Sequence, residues 1–273
     1  MLKRRTPLSY EQHNISMFSV EKLIKELSDI SNVVDVGLDD EFDFNKREEA
    51  FVIESGTLLS FANGKSIAGV RPTQTFGPYD PIGFAEAIAG KSRDISYKQL
   101  SELRLHSFQE PLLKSKVNSC NVFAQTIIKY SLGRIFNHKK SGGNILLEDE
   151  FIFENYKILG QFNIPEGESI FNVGDKADVM YFIEKGGVGI FASSSRQIAG
   201  LGSGDCFGEA ALIKDRARNY SAVAIKPTRL VLIERDIVKR ELERDHPIVR
   251  LSVILLLKRL ELMNKLNLVQ EEG

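Results

Sequence analysis

One stretch of this chain occurs twice, and a duplication of that length restricts the fold more than any other feature. Residues 51–61 read FVIESGTLLSF and residues 181–191 read YFIEKGGVGIF. Each is an apolar strand, an acid, a glycine turn and a second alternating strand, the pattern of a β-hairpin. Further on, GPYDPIGFAEAIAGKSRDIS (77–96) lies over GSGDCFGEAALIKDRARNYS (202–221) without a gap. That register pairs Asp80 with Asp205, Gly83 with Gly208 and Arg93 with Arg218. The following strands also match, LRLHSF (103–108) with TRLVLI (228–233). A rival register would set SIAG and FG of 66–77 against QIAG and FG of 197–208. The first register is preferred because it also aligns the arginine and the closing strand, with extra residues around GVRPTQTF in the first copy.

The expected order is helix (19–29), β-rich unit (33–108), helix (110–136), a glycine break at NHKKSGGN (137–144), and a short helix (147–156). A second β-rich unit (158–233) and a terminal helix from about 236 follow. The fold class is α+β and mainly β: two tandem β rolls with flanking helices. A tail would occupy 1–18, the first unit and its connecting helix 19–138, and the second unit with its last helix 145–273. A chain of 273 residues is long enough for two such domains.

Composition removes several function classes. A formal net charge of −1 argues against a broad nucleic-acid or membrane footprint. The longest unbroken apolar run, VILLL (253–257), is far too short to span a bilayer, and MLKRRTPLSYEQ is followed by no apolar run of a signal peptide. Cys120 and Cys206 form no CxxC pair, which places the chain in a reducing cytoplasm. His13, His106, His138 and His246 are isolated, so no metal centre or metal-dependent β-roll enzyme is expected. A transcription regulator would need a helix-turn-helix beyond the last helix, and too few residues follow Met263. The basic KRRT at 3–6 reads as a solvated tail, since Pro7 weakens it as a kinase-recognised segment.

The chemistry concentrates in GDCFGEAALIKDRARNYSAV (204–223). Gly208 lets a backbone come close to a ligand, and the small Ala210 and Ala211 let successive N–H groups face one anion. Arg218 offers a planar fork to phosphate oxygens, and an ionised Glu209 accepts from sugar hydroxyls. Together they suit a ribose bearing a single anionic phosphate. The bland alternative is a surface ion pair between an acid and an arginine nine residues apart.

FGEAALIKDRARNYSAVA resembles the phosphate-binding cassette of the cyclic nucleotide-binding domain family. GESIFNVGDKADVMYFIEKGGVGIF (167–191) and IAGLGSGD (198–205) resemble the strands that precede it, so the likeness covers about 158–262. The resemblance implies a β roll flanked by helices and a ligand that is cAMP or cGMP, with no cofactor. It implies ligand contacts from Phe207, Gly208, Glu209, Ala210, Ala211, Arg218, Asn219 and Ser221, with Glu209 on the ribose 2′-hydroxyl and Arg218 on the cyclic phosphate. Asp178 would orient the arginine from behind. Asn219 and Ala217 depart from the family's usual residues, which leaves the choice of purine open.

The first copy places Phe84 where Glu209 stands and Glu86 two residues later, and a phenyl ring accepts no hydroxyl. It reads as a degenerate domain for structure, dimerisation or partner contact, with a weak second site at Glu86 and Arg93 as the alternative. The last helix should start at Pro247. It carries one apolar stripe through Val249, Val253, Leu256, Leu260 and Met263 and a second through Leu251, Leu255, Leu262 and Leu266. One stripe would cover the roll, with Leu255 or Leu256 closing as a lid over the purine, and the other would serve a homodimer; simple core packing of both is the alternative. Cys206 reads as a small buried thiol rather than a redox sensor. The expected function is a non-catalytic cyclic-nucleotide receptor acting through a protein effector. The alternative is a tandem β-roll scaffold that binds a protein and no nucleotide.

Overall fold

The hairpins expected at 51–61 and 181–191 do not form. Residues 49–55 and 58–62 lie in different sheets and residues 179–191 make one unbroken strand, so each glycine lets the chain pass from one pairing to the next. The strands build two β units that share one set of helices. The computed structural model describes residues 18–62, 74–91, 95–136, 159–212 and 216–271. Helix α1 (Val20–Glu26), capped by the Ser19 side chain, leads into β1 (Asn32–Val36), β2 (Glu49–Ser55), β3 (Leu58–Ala62), β4 (Gln74–Phe76) and β5 (Pro81–Ile82). Helix α2 (Phe84–Ala89), β6 (Ile95–Gln99) and β7 (Leu103–Gln109) complete the first unit, followed by α3 (Glu110–Asn118) and α4 (Val122–Phe136). The second unit runs through β8 (Gly160–Ile164), β9 (Ser169–Phe171), β10 (Lys176–Ala177), β11 (Val179–Phe191), β12 (Gln197–Gly202) and β13 (Cys206–Phe207). A single 3₁₀ turn (Glu209–Leu212), β14 (Arg216–Ala217) and β15 (Ser221–Glu234) follow, then α5 (Arg235–Leu242) and α6 (Pro247–Glu271). The architecture is α+β and mainly β. The tail up to residue 17, the glycine break, the expected helix 147–156, SIAG of the rival register and Arg93 lie outside the described residues.

All strand pairs are antiparallel. The first unit holds a sheet in the order β1-β7-β2-β5 and a second in the order β4-β3-β6. The other unit holds β12-β11-β15-β8, with β13 on β11 and β9 on β15, beside the short pair β10-β14. The long β11 and β15 therefore do alone what β2 with β3, and β6 with β7, do in two pieces.

The backbone repeats in detail. The Gly77 N–H donates to Asp80 Oδ2 at 3.0 Å and the Gly202 N–H to Asp205 Oδ2 at 2.8 Å. The Ile53 N–H meets the Asp80 carbonyl at 3.2 Å, and the Ile183 N–H meets that of Asp205 at 2.9 Å. Gly56 and Gly186 sit at φ of 102° and 106°, where a Cβ would come within 2.3 Å of the Glu102 oxygen and 2.5 Å of the Pro227 oxygen. Only glycine fits such a turn. These matches follow the register that aligns 77–96 with 202–221. They do not follow the rival one.

Two helices expected as single runs are broken. Residues 110–136 divide at Ser119–Asn121, where Asn121 caps α4 by accepting from the Ala124 N–H at 2.9 Å. The run after β15 divides at the equivalent place, and His246 Nδ1 accepts from the Ile248 N–H at 3.2 Å. Asn121 also donates to Asp245 Oδ2 at 2.5 Å, so the two caps are tied to each other.

The interiors differ in composition. Phe44, Phe51, Leu58, Phe76 and Leu105 fill the first roll, while Phe171, Ile183, Val188, Phe207 and Leu230 fill the second. The largest cluster lies between them, built from α1, α2, α3, α4, α5, α6 and the sheet faces of both units. Helix α6 runs through it. Leu251, Val253, Leu255 and Leu257 are each 0% exposed and Leu256 1%. Of the second stripe, Leu251 and Leu255 are buried in the core that α6 shares with α1, α3 and α4, as the core-packing alternative has it, while Leu262 is half-buried. A helix apolar on every side belongs inside, and here the first unit supplies the cover a second copy was expected to give.

Candidate functional site

The site begins with a turn that only glycine can make. Gly208 sits at φ +79°, and a Cβ there would stand 2.8 Å from Arg218 Nη1 and 3.2 Å from the Val179 carbonyl. Its missing side chain is thus space for the arginine as well as for an incoming ligand. After it, the 3₁₀ turn begins at Glu209, whose residue is 8% exposed. The Ala211 N–H is committed to the Gly208 carbonyl at 3.0 Å, so it is not a free donor as expected; the tight turn consumes it.

Arg218 is 6% exposed, which is rare for a guanidinium. It lies over the Phe171 ring at 4.2 Å and near that of Tyr181 at 5.6 Å, while Tyr181 and Phe207 stack at 5.1 Å. Nη2 donates to the Val179 carbonyl at 2.6 Å and Nη1 to the Gly208 carbonyl at 3.5 Å. Nε is buried without a hydrogen-bond partner. No carboxylate of the described residues pairs with it, and burial pulls its pKa below the usual arginine value. Carbonyls and ring faces hold the group in place but do not cancel its charge. What remains is a preorganised cation lacking an anion.

Asp178 does not orient this arginine by contact. Its half-buried carboxylate pairs with Lys176 at 2.9 Å, so the aromatic rings and the two carbonyls hold the guanidinium in place. The Ser221 hydroxyl accepts from the Val173 N–H at 3.1 Å, tying β15 to the loop after β9 rather than pointing out as an unused donor. Asn219 is exposed beside Arg218, and Ala210 is half-buried in the turn. Leu255 and Leu256 lie in the shared core, packed by neighbours on the first unit. Cys206 is buried and its thiol is pushed up by that burial, as a packing thiol should be.

Three supporting residues were missed by sequence reasoning. Arg235 fastens the 3₁₀ turn from below, donating from Nε to the Ala211 carbonyl at 2.5 Å and from Nη2 to that of Ala177. Tyr130 of α4 donates its hydroxyl to the Cys206 carbonyl at 2.8 Å. Arg134 lies one turn further along α4, partly buried, within the field of the Glu209 and Asp205 carboxylates. None carries a local signal, because each acts across a fold the chain order does not reveal.

In the first unit, Gly83 repeats the glycine at φ +76°, but Phe84 follows it, 1% exposed and packed on Phe108 at 5.7 Å. Glu86 is half-buried on α2. The Tyr79 carbonyl, in the turn equivalent to that of Gly204, already accepts from Lys258 of α6 at 2.7 Å. Among the described residues no three His, Cys, Asp or Glu side chains are placed to hold a metal ion, and no helix is long and apolar enough to cross a membrane.

The family match falls within the second unit, while the alignments with curated relatives extend beyond it. The chain is 27% identical over 192 residues to a cGMP-dependent protein kinase of Toxoplasma gondii, an alignment spanning 70% of this chain and 18% of the kinase. It is 29% identical over 178 residues to the cAMP-dependent protein kinase type II regulatory subunit of Drosophila melanogaster, covering 64% of this chain and 44% of that subunit. The chain thus spans less than half the length of either relative. The crystal structure of Thermus thermophilus catabolite activator protein aligns at 28% identity and a TM-score of 0.38, over 45% of this chain and 59% of that one. Residues 161–245 match the model of the cyclic nucleotide-binding domain. That segment, which holds the glycine turn, Glu209 and Arg218, is thus similar to the cyclic nucleotide-binding domain family.

Proposed function

We propose that this chain is a non-catalytic receptor for cAMP or cGMP that acts in the cytoplasm through a protein effector. The observation that carries the reading is Arg218, buried, uncompensated by any described carboxylate, and left with an unused Nε beside a glycine turn. A cyclic phosphate supplies the missing anion, and two charge-assisted hydrogen bonds to a guanidinium are worth several kcal/mol in such surroundings. Glu209 takes the ribose 2′-hydroxyl, the Ala210 N–H faces the phosphate, and Phe207, Gly208 and Asn219 line the approach. Ser221 and Asp178 support the loop, and the purine is chosen by Asn219 and by groups above the turn. The relatives are named for cGMP-dependent and cAMP-dependent kinases, which supports the ligand class and leaves the purine to measurement.

The first unit we read as a degenerate member of a tandem pair. Phe84 stands where Glu209 does and removes the sugar acceptor, while Glu86 lies half-buried on α2. Its work is structural, as an internal partner for the second unit. Movement on binding starts in the 3₁₀ turn, because α6 with Leu255 and Leu256 closes as a lid only if contacts with both units are exchanged together.

Titration calorimetry with cAMP and with cGMP tests this. Wild type should bind one nucleotide per chain, and Arg218→Ala should weaken binding at least about a hundredfold, the equivalent of two charge-assisted bonds. No heat with either nucleotide would leave the alternative, a β-roll scaffold that binds only protein.

A further inference from the structure

Each unit's closing helix is bonded to a turn of the other unit. Helix α4, which ends the first unit, donates the Tyr130 hydroxyl to the Cys206 carbonyl at 2.8 Å in the second. Helix α6, which ends the second, donates Lys258 Nζ to the Tyr79 carbonyl at 2.7 Å and to Asp80 Oδ1 at 3.4 Å in the first. In the register of the repeat, residues 79–81 are the counterparts of 204–206, so the two crossings meet equivalent turns. The crossing of α6 carries further attachments. Arg259 donates to Gln74 and lies over the Phe76 ring at 5.1 Å, and Arg250 pairs with Glu26 of α1 at 3.0 Å. The same helix packs on the ligand turn, because Leu212, which ends the 3₁₀ turn opened by Glu209, shares one buried cluster with Leu255 and Leu256.

We propose that the first unit is an autoinhibitory seat for α6: Lys258 and Arg259 hold the helix on residues 74–80 and so oppose its closure over a nucleotide in the second unit. This rests on the nucleotide reading given above and names the regulation of that site. Leu255 and Leu256 are 0% and 1% exposed in the core shared by both units, so they cover a purine only in an arrangement where α6 has shifted. A shift of ~1 Å is enough to break a side-chain hydrogen bond, so the Lys258 and Arg259 attachments yield before the lid can move. The Lys258 and Asp80 side chains are 17% and 18% exposed, which shields their attraction from water and makes the release costly. The seat therefore lowers the fraction of chains ready to close, and the apparent affinity falls by the same fraction. The first unit then has a role that its own lost site does not explain: it sets the threshold of its neighbour.

Titration calorimetry with cAMP and with cGMP on Lys258→Met, Arg259→Met and the double variant tests the seat. Each single variant should tighten binding about tenfold, the equivalent of one hydrogen bond to a charged group, and the double variant should tighten it further. Chemical denaturation should show the same chains to be less stable than wild type. A merely structural role predicts the loss of stability with unchanged or weaker binding, so that result in folded variants would overturn the proposal. Arg218→Ala in the Lys258→Met background should cancel the gain, because the tighter binding is at the second unit's site. If Lys258→Met fails to fold, Asp80→Asn removes the charge from the seat and keeps an oxygen for the Gly77 N–H. It should also tighten binding, and unchanged affinity there counts equally against the seat. Binding by the variants but not by wild type would support the seat in its strongest form. No binding by any of these chains would instead refute the nucleotide reading itself.

Discussion

The two β units share a backbone frame and differ in what fills it. Gly83 and Gly208 make the same left-handed turn, yet one is followed by a fully buried phenylalanine and the other by a nearly buried glutamate. The first roll is packed with rings, Phe42 against Phe44 at 4.8 Å and against Phe51 at 5.4 Å. The second keeps a guanidinium against the rings of Phe171 and Tyr181. A frame of glycine turns and strand pairs therefore outlasts the chemistry that it can hold. Once the acid is replaced by an apolar side chain, the same geometry becomes core.

The contrast is clearest between Phe84 and Glu209. Phe84→Ala should lower stability by about 3–5 kcal/mol, the cost of a large buried cavity, and leave nucleotide stoichiometry unchanged. Glu209→Ala should do the reverse, weakening binding with a smaller change in the denaturant midpoint. A loss of nucleotide affinity in folded Phe84→Ala chains would show that the first unit binds ligand after all.

The glycines come next. Gly83→Ala and Gly208→Ala should each cost about 1–2 kcal/mol, because both force an L residue into the left-handed region. Only Gly208→Ala should also reduce nucleotide affinity, since its Cβ would stand 2.8 Å from Arg218 Nη1, whereas that of Gly83 would meet nothing nearer than the Glu49 oxygen at 3.3 Å. Equal binding losses from the two would erase the distinction between the units.

Tyr130→Phe removes one buried hydrogen bond between α4 and the second unit and should cost about 1 kcal/mol, measured by chemical denaturation. The smallest effect separates the two helix caps. His246 is exposed, and its pKa is lowered from 6.5 chiefly by desolvation, with Lys116 and Arg250 adding to it. A group with a lowered folded-state pKa contributes stability that is full above 6.5 and is lost as pH falls through the folded value. A shallow loss of stability below that pH should vanish in His246→Asn, which copies the pH-insensitive cap that Asn121 gives α4. Persistence of the slope in that variant would place its origin elsewhere.

Much of this was legible in the residues themselves. The repeat at 77–96 and 202–221 states which turns are equivalent, because Asp80 and Asp205 bond their own turns and the glycines sit where a side chain collides with backbone. Those are short-range effects. The cassette was legible for the same reason: Gly208, Glu209 and Arg218 are joined by one turn and one short strand pair. Asp178 sits in the one-residue link between β10 and β11, and neighbourhood in sequence does not say which way such a side chain turns; here it turns to Lys176.

The last helix shows where local reasoning stops. Its two stripes, and the start at Pro247, were written in its own residues as a helix with no polar face. Which surfaces cover it was not, since that depends on how two β units pack through α1, α3 and α4. The sequence by itself determined the repeated frame, the glycine turns and the presence of an acid and an arginine in one cassette, all set by contacts within a few residues or one strand pairing. The tertiary structure alone decided that the apolar residues of 248–260 in α6 are core, that Arg218 is held by rings and carbonyls, and that Tyr130 stands at the other unit's turn. The Tyr130 bond joins residues 76 positions apart and the Arg218 bond to Val179 spans 39, and no local preference specifies either.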